Sequence, residues 1–182
     1  MGTGMWGMGF AVVVAHSRKL LKRMVATPMR RSHFLASLVL SRLAFLGFEM
    51  LALLGFAWWM FGVPVEGALT NLFAVALVGA LSFGGIGLLT SSRARTIEGV
   101  SGIMNVVMVP MWILSGVFFA STKFPDVAQP VIQLLPLTAL VDALRGVMLN
   151  GDESPGIGGE LTVLVLWGTL SFVLAVRVFR WQ

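Results

Sequence analysis

Apolar positions in this chain fall in long continuous runs, with none of the period-two alternation of a half-buried strand. A helix rises 1.5 Å per residue, so about 20 apolar residues cross a hydrocarbon core about 30 Å thick. The runs predict five spans, over roughly residues 3–17, 34–62, 68–90, 100–119 and 161–178. Gly62, Pro64, Glu66 and Gly67 punctuate the second and third as a tight turn. The missing alternation argues against an outer-membrane barrel. The expected fold class is an all-α integral membrane protein, with one transmembrane domain over residues 1–182.

Residues 104–151 break the pattern. An apolar run carries Pro110 in mid-course and ends in Leu-Ser-Gly-Val-Phe-Phe. A Lys123-Phe124-Pro125-Asp126 break follows, then two half-length apolar segments separated by Pro136. Segments of about ten residues do not cross a bilayer. They are expected to dip into one face of it, so that residues 120–160 form an external re-entrant segment with two short helices, where a transported molecule leaves. Pro125 and Pro136 each suit the first turn of such a helix, where the missing N–H costs little. Pro130 is expected to kink or shorten the first one. Asp142 and Arg145, spaced i,i+3, could pair for about 0.2–0.5 kcal/mol. The alternative is a plain loop with two surface helices. Val131, Ile132, Leu134, Leu135 and Leu137 are too apolar for water and favour re-entrance, since irregular backbone is tolerated at membrane depth where it lines a cavity.

Composition supports the membrane reading. Of 182 residues, 57% are hydrophobic and 12% charged, about half the charge of a soluble domain, and mean hydropathy is +0.91. Net charge is +5, but its distribution speaks against nucleic acid. Ten of the thirteen basic residues lie in three patches: six between Arg18 and Arg31, then Arg93 with Arg95, and Arg177 with Arg180. Six of the eight acids (Glu66, Asp126, Asp142, Asp152, Glu153, Glu160) lie in the intervening loops. Basic charge marks the cytoplasmic side of a membrane protein, so the second span is expected to run outward and the third inward. Trp58 and Trp59 then sit at the outer interface and Trp181 at the inner. Trp112, in mid-span, is expected between helices. The first span is short and begins outside, with neither a basic region before it nor a small-residue cleavage site after it. The simplest expectation is that the chain begins within a longer gene product.

Several chemistries are excluded. With no cysteine and only His16 and His33, neither a disulfide framework nor a thiolate or histidine-rich metal site is expected. Gly2-Thr3-Gly4-Met5-Trp6-Gly7 matches G-x-G-x-x-G, but it lacks the preceding strand and the acidic residue about 20 positions on. Trp6 stands where myristoylation needs Ser or Thr. No P-loop pattern occurs, so the chain cannot supply its own ATP site. No catalytic residue, metal or cofactor is expected.

Two regions hold candidate chemistry. In residues 18–33, Leu20, Leu21, Met24 and Val25 share one helical face, with Lys19, Lys22 and Arg23 largely opposite. The residues alone fit a helix on anionic lipid, at about 1 kcal/mol per basic residue, or a docking helix for a cytosolic partner. The lipid reading is the simpler one. Within the second span, Arg42 and Glu49 lie seven residues apart, on one face but two turns apart. A charge at mid-membrane costs about 2.5–3.5 kcal/mol and marks a bundle interior, a pathway or a pair. Arg42 can snorkel to the inner surface; Glu49 cannot, and is expected to face other helices. In the third span, Ala76, Ala80 and Gly84 recur every four residues near Gly85 and Gly87, a row that lets helices approach closely, within the subunit or between subunits.

Leu21-Lys22-Arg23-Met24-Val25-Ala26-Thr27-Pro28-Met29-Arg30-Arg31 resembles the "lkR-x-x-a-T-P-x-x-R" pattern of ABC-2 type permeases. Leu137-Thr138-Ala139-Leu140-Val141-Asp142-Ala143-Leu144-Arg145 resembles that family's "P-l-t-x-x-x-d-a-l-R", following Pro136. Phe61-Gly62-Val63-Pro64 and Gly87-Leu88-Leu89 fall between them in the family's order. The resemblance covers nearly the whole chain. It implies that residues 18–33 are the coupling helix on a separate ATP-binding subunit, with Arg18, Lys22, Arg23, Thr27, Pro28, Arg30 and Arg31 at the contact. It also implies a second permease copy or a paralogue as dimer partner, surrounding lipid, and a place in the bacterial inner membrane. Family members carry an interfacial helix and a further first span that are not present here.

The function implied is the membrane subunit of an ATP-driven exporter of a hydrophobic or amphipathic substrate such as a drug, a lipid or a lipid-linked saccharide. It is not itself an enzyme. A proton- or ion-coupled carrier using Glu49 is the alternative. An intramembrane enzyme needs a nucleophile–base pair or metal ligands at depth, which Glu49 and two inner-surface histidines do not provide.

Overall fold

The computed structural model describes residues 5–7, 9–10, 13–14, 31–62, 67–92, 96–117, 124–125, 128–151 and 156–178. Its helices are α1 (Arg31–Phe61), α2 (Leu69–Ser91), α3 (Ile97–Leu114), α4 (Gln129–Gln133), α5 (Pro136–Arg145) and α6 (Gly158–Val178), with a π-helical turn, Gly146–Asn150, extending α5. Among the described residues, four helices are long and apolar enough to cross a membrane: Leu43–Phe61 within α1, and all of α2, α3 and α6. Helical residues between Met5 and Val14 pack on this set, with Met5 and Val13 fully buried. The chain is an all-α membrane protein.

Local chemistry sets the helix ends. α1 stops at Gly62, whose φ of 60° suits glycine and whose N–H donates to the Trp58 carbonyl at 3.0 Å. At the C-terminus of α2, the hydroxyls of Thr90, Ser91 and Ser92 donate to the carbonyls of Gly87, Leu88 and Leu89 at 2.9, 3.0 and 2.6 Å. Thr96 caps α3 by accepting from the Gly99 N–H at 3.1 Å, and Glu98 complements the helix dipole in the first turn. That cap starts α3 at Ile97, three residues before the expected 100. Gly116, at φ 77°, lies just past the helix end at Leu114, so the helix stops five residues short of the expected 119.

α2 is the hub. More than half of its span, 56%, is buried, whereas the α1 span has no buried residue. The reason is side-chain size. α2 and α6 meet through small residues on both sides: a Cβ at Gly85 would lie 3.1 Å from the Gly168 carbonyl oxygen, and one at Gly168 would lie 3.2 Å from the Ser82 Cα. Leu140 of α5 rests on Gly79, where a Cβ would come within 2.6 Å of it. The Met5 backbone lies 2.6 Å from the same position on Gly87. Close approach therefore uses Gly79, Ser82, Gly85 and Gly87. Of the row expected from four-residue spacing, Ala76 and Gly84 are buried and Ala80 borders a cavity, while the neighbouring Gly85 and Gly87 make close contacts.

Gly168→Leu and Gly85→Leu are each expected to destabilise the protein by about 1–3 kcal/mol through overpacking at the α2–α6 contact. Gly102→Ala, where an added methyl meets nothing within 4 Å, leaves stability unchanged or slightly raised. Thermal unfolding in detergent, followed by helical circular dichroism, separates the two classes.

Candidate functional site

Between α3 and α6, the short helices α4 and α5 meet at a turn through Leu134 and Leu135, and α5 packs against α2 and α6. Its placement follows from two side-chain hydrogen bonds to backbone. The Trp167 Nε1–H donates to the Leu134 carbonyl at 2.8 Å. Trp167 is the tenth residue of α6, about 14 Å from the Gly158 end at 1.5 Å per residue. The α4–α5 turn thus lies beside the middle of α6. At the other end of α5, Arg145 donates through a terminal guanidinium nitrogen to the Gly116 carbonyl at 3.2 Å, just beyond the C-terminus of α3. Val147 of the π turn presses on Gly67, at the start of α2. α5 therefore runs from beside the middle of α6 to the end of the bundle that carries Gly62 and Gly67.

The prolines divide their roles differently from the expectation. Pro136 is the first residue of α5 and is buried, and Leu135 ahead of it is extended, as the residue before a proline must be. Pro125 is exposed and lies four residues before α4; its carbonyl accepts from the Ala128 N–H at 2.8 Å in a turn. Pro130 takes the helix-opening position that Pro125 was expected to hold. α4 is accordingly a single short turn of five residues rather than a kinked helix.

Asp142 and Arg145 do not form the expected ion pair, because the guanidinium is committed to Gly116. They still feel one another. Burial raises the Asp142 pKa above its ordinary value, the Arg145 charge pulls it back, and Glu160 at the start of α6 adds to the rise.

Glu49 lies half-buried on α1 and lines a cavity of about 180 Å³. Leu46, Met50 and Leu53 share the α1 wall with it. Ala76, Gly79, Ala80 and Phe83 of α2 form a second wall, and Leu140 and Leu144 of α5 the third. A carboxylate from a spanning helix is thus brought against the inserted hairpin. The remaining lining side chains are hydrocarbon or thioether, so the site can hold an apolar group and one polar contact, and no covalent chemistry. Arg42 lies two turns before Glu49 on α1. Arg31 is the first residue of α1, while Arg18, Lys22, Arg23, Thr27, Pro28 and Arg30 lie outside the described residues. Among the described residues, no three of His, Cys, Asp or Glu gather in a way that could hold a metal ion.

Two features were not read from sequence. Trp167 anchors the hairpin; an indole N–H in mid-span, which needs a partner in lipid, was the available signal. Trp112, expected between helices, is about two-fifths exposed on this chain.

The described helices form a multi-pass membrane bundle with two short helices, α4 and α5, ahead of the last span. The chain belongs to the ABC-2 type transporter family, whose sequence pattern matches residues 1–149. It is 30% identical to nodulation protein J of Bradyrhizobium diazoefficiens over 130 residues, covering 71% of this chain and 46% of that protein. It is 23% identical to the linearmycin resistance permease protein LnrN of Bacillus subtilis over 175 residues, 95% of this chain and 45% of the relative. The inner membrane transport permease YhhJ of Escherichia coli is 22% identical over 119 residues, 65% and 32% of the two chains. The chain thus spans about half the length, or less, of the curated relatives it matches. No solved structure matches it.

Trp167→Phe keeps the ring and removes the donor, leaving the Leu134 carbonyl unpartnered at depth. It is expected to cost about 0.6–1.7 kcal/mol in thermal unfolding. It should also raise the reactivity of a cysteine placed at Leu134 towards a water-soluble maleimide; equal reactivity would show that this bond does not hold the hairpin in.

Proposed function

We propose that this chain is membrane-spanning machinery of an ATP-driven exporter for a hydrophobic or amphipathic molecule. The reading rests above all on the re-entrant hairpin in an ABC-2 family chain: a turn inserted to mid-depth gives a movable wall to whatever passes between the helices. The relative named for linearmycin resistance fits outward movement of an amphipathic compound. Permeases of this family pair with an ATP-binding subunit, and the basic amphipathic segment 18–33 supplies a docking helix for it. Hydrolysis takes place on that partner, so this polypeptide is not the catalyst. A second permease copy or a paralogue completes the assembly, in the inner membrane of a bacterium. The positive-inside pattern puts the Gly62 and Gly67 end, and with it the mouth of the hairpin, on the outer face.

Docking is tested by co-purification of this chain with a co-expressed ATP-binding subunit of the ABC type. The double change Arg23→Glu with Thr27→Pro is expected to abolish retention, by reversing a contact charge and breaking the helix. An ATPase that still binds refutes the contact at 18–33.

A proton-coupled carrier is the second reading, favoured by Glu49 in its cavity. The two part on energy source. In inverted vesicles the exporter stops when ATP is withdrawn and continues when an uncoupler collapses the pH gradient; the carrier does the reverse.

A further inference from the structure

α3 buries one face only, through Val100, Met104, Met108 and Met111. A second face carries Gly102, Asn105, Val109 and Trp112, all exposed. Their spacing alternates between three and four residues, the 3.5-residue period of the seam along which two helices pack in a left-handed pair. Asn105 is the ninth of eighteen residues in this span, about 12 Å from the Ile97 end at 1.5 Å per residue. Among the described residues, its amide has no hydrogen-bond partner. A polar group left unpaired in hydrocarbon costs free energy, and lipid tails supply no partner, whereas an amide bonded across two helices joins them. At Gly102 an added Cβ would meet nothing within 4 Å, so the missing side chain serves no contact inside the chain and leaves room for another backbone.

We propose that this seam is the contact between two copies of the chain, related by a two-fold axis along the membrane normal, with Asn105 of each copy bonded to Asn105 of the other. Two copies with the same orientation in the membrane place their α3 helices parallel, and a two-fold axis sets each seam residue beside itself. An amide suits that position because it carries both a donor and an acceptor, so the pair is reciprocal; a carboxylate or an ammonium would repel its own copy. Gly102 lets the backbones approach, and Trp112 is covered one turn and a half beyond Asn105. The wall of a water-filled pathway would also satisfy the amide, but it has no use for the 3.5-residue period. The proposal rests on the reading that a second permease copy completes the assembly, and it assigns that contact a surface and a register.

The chain has no cysteine, so single cysteines report without background. In native membranes treated with copper phenanthroline, Gly102→Cys, Val109→Cys and Trp112→Cys are expected to cross-link two copies several-fold faster than Ile103→Cys and Val106→Cys, which are exposed on the same helix but off the seam. Asn105→Leu should raise the dimer dissociation constant in detergent by about threefold to twentyfold, the worth of an interhelical hydrogen bond, and Asn105→Gln should restore most of the loss. Gly102→Leu should weaken the dimer while helicity and unfolding temperature of the chain itself stay at wild type. Seam cysteines that cross-link no faster than the two off-seam ones overturn the seam, as does an Asn105→Leu dimer as tight as the wild type; the dimer itself then stands, at another surface. Seam cysteines that react with a water-soluble maleimide and do not cross-link overturn it in favour of a pathway wall. A wild-type chain that stays monomeric at every concentration, or that pairs only with a different permease, removes the second-copy reading and the seam together.

Discussion

Close approach of helix backbones at α2 is the constraint on which the remainder of the structure depends. Lipid tails are as apolar as leucine, so burying hydrocarbon gives little drive for helices to associate within a membrane. What remains is dispersion between well-matched surfaces, which grows as backbones come nearer. Ser82 and Gly85 facing Gly168 and Ser171 provide such a surface, and α6 packs along α2 more extensively than any other pair of helices. Gly79 beneath Leu140 extends it to the hairpin, and Gly87 beneath Met5 to the N-terminal segment. One helix with side chains missing at chosen positions thus organises three neighbours.

The hairpin exists because that surface is there to receive it. A chain that turns at membrane depth exposes carbonyls that no water can satisfy. The Leu134 carbonyl is met by the Trp167 indole and the Gly116 carbonyl by Arg145, one at each end of α5. Between those two anchors, α5 buries Leu137, Thr138, Ala139, Leu140 and Ala143 against the bundle. The π turn then widens the helix where Val147 meets Gly67, and Gly151, at φ 67°, ends it. Inserted in this way, the hairpin forms one wall of the Glu49 cavity, so packing and candidate function share the same contacts.

α1 shows the opposite regime. Large residues from Leu40 to Phe61 stand exposed around it, Trp58 and Trp59 among them. A helix apolar on all sides is at home in lipid or against another chain. Its looser seating leaves space beside Ala76 and Ala80, and Glu49 reaches that space.

Four of the five expected spans, and the two short helices before the last, could be read from the sequence, because each follows from the local run of apolar residues against a fixed bilayer thickness; the first expected span, 3–17, lies largely outside the described residues. The four spanning helices lie within five residues of their predicted bounds, and the largest difference is at the C-terminus of α3, where a left-handed Gly116 outweighs hydropathy. Pro136 opening α5 was likewise local. The contact residues were legible only in part. The small-residue row read from the sequence included Gly85 and Gly87, which make close approaches, but not Gly79 or Ser82, because in an all-apolar span polarity does not mark the inward face. Arg145 met a carbonyl 29 positions away rather than Asp142, and Trp167 met one 33 positions away. Such partners are chosen when helices pack, since the backbone groups they satisfy are exposed only by a turn that tertiary structure places at depth.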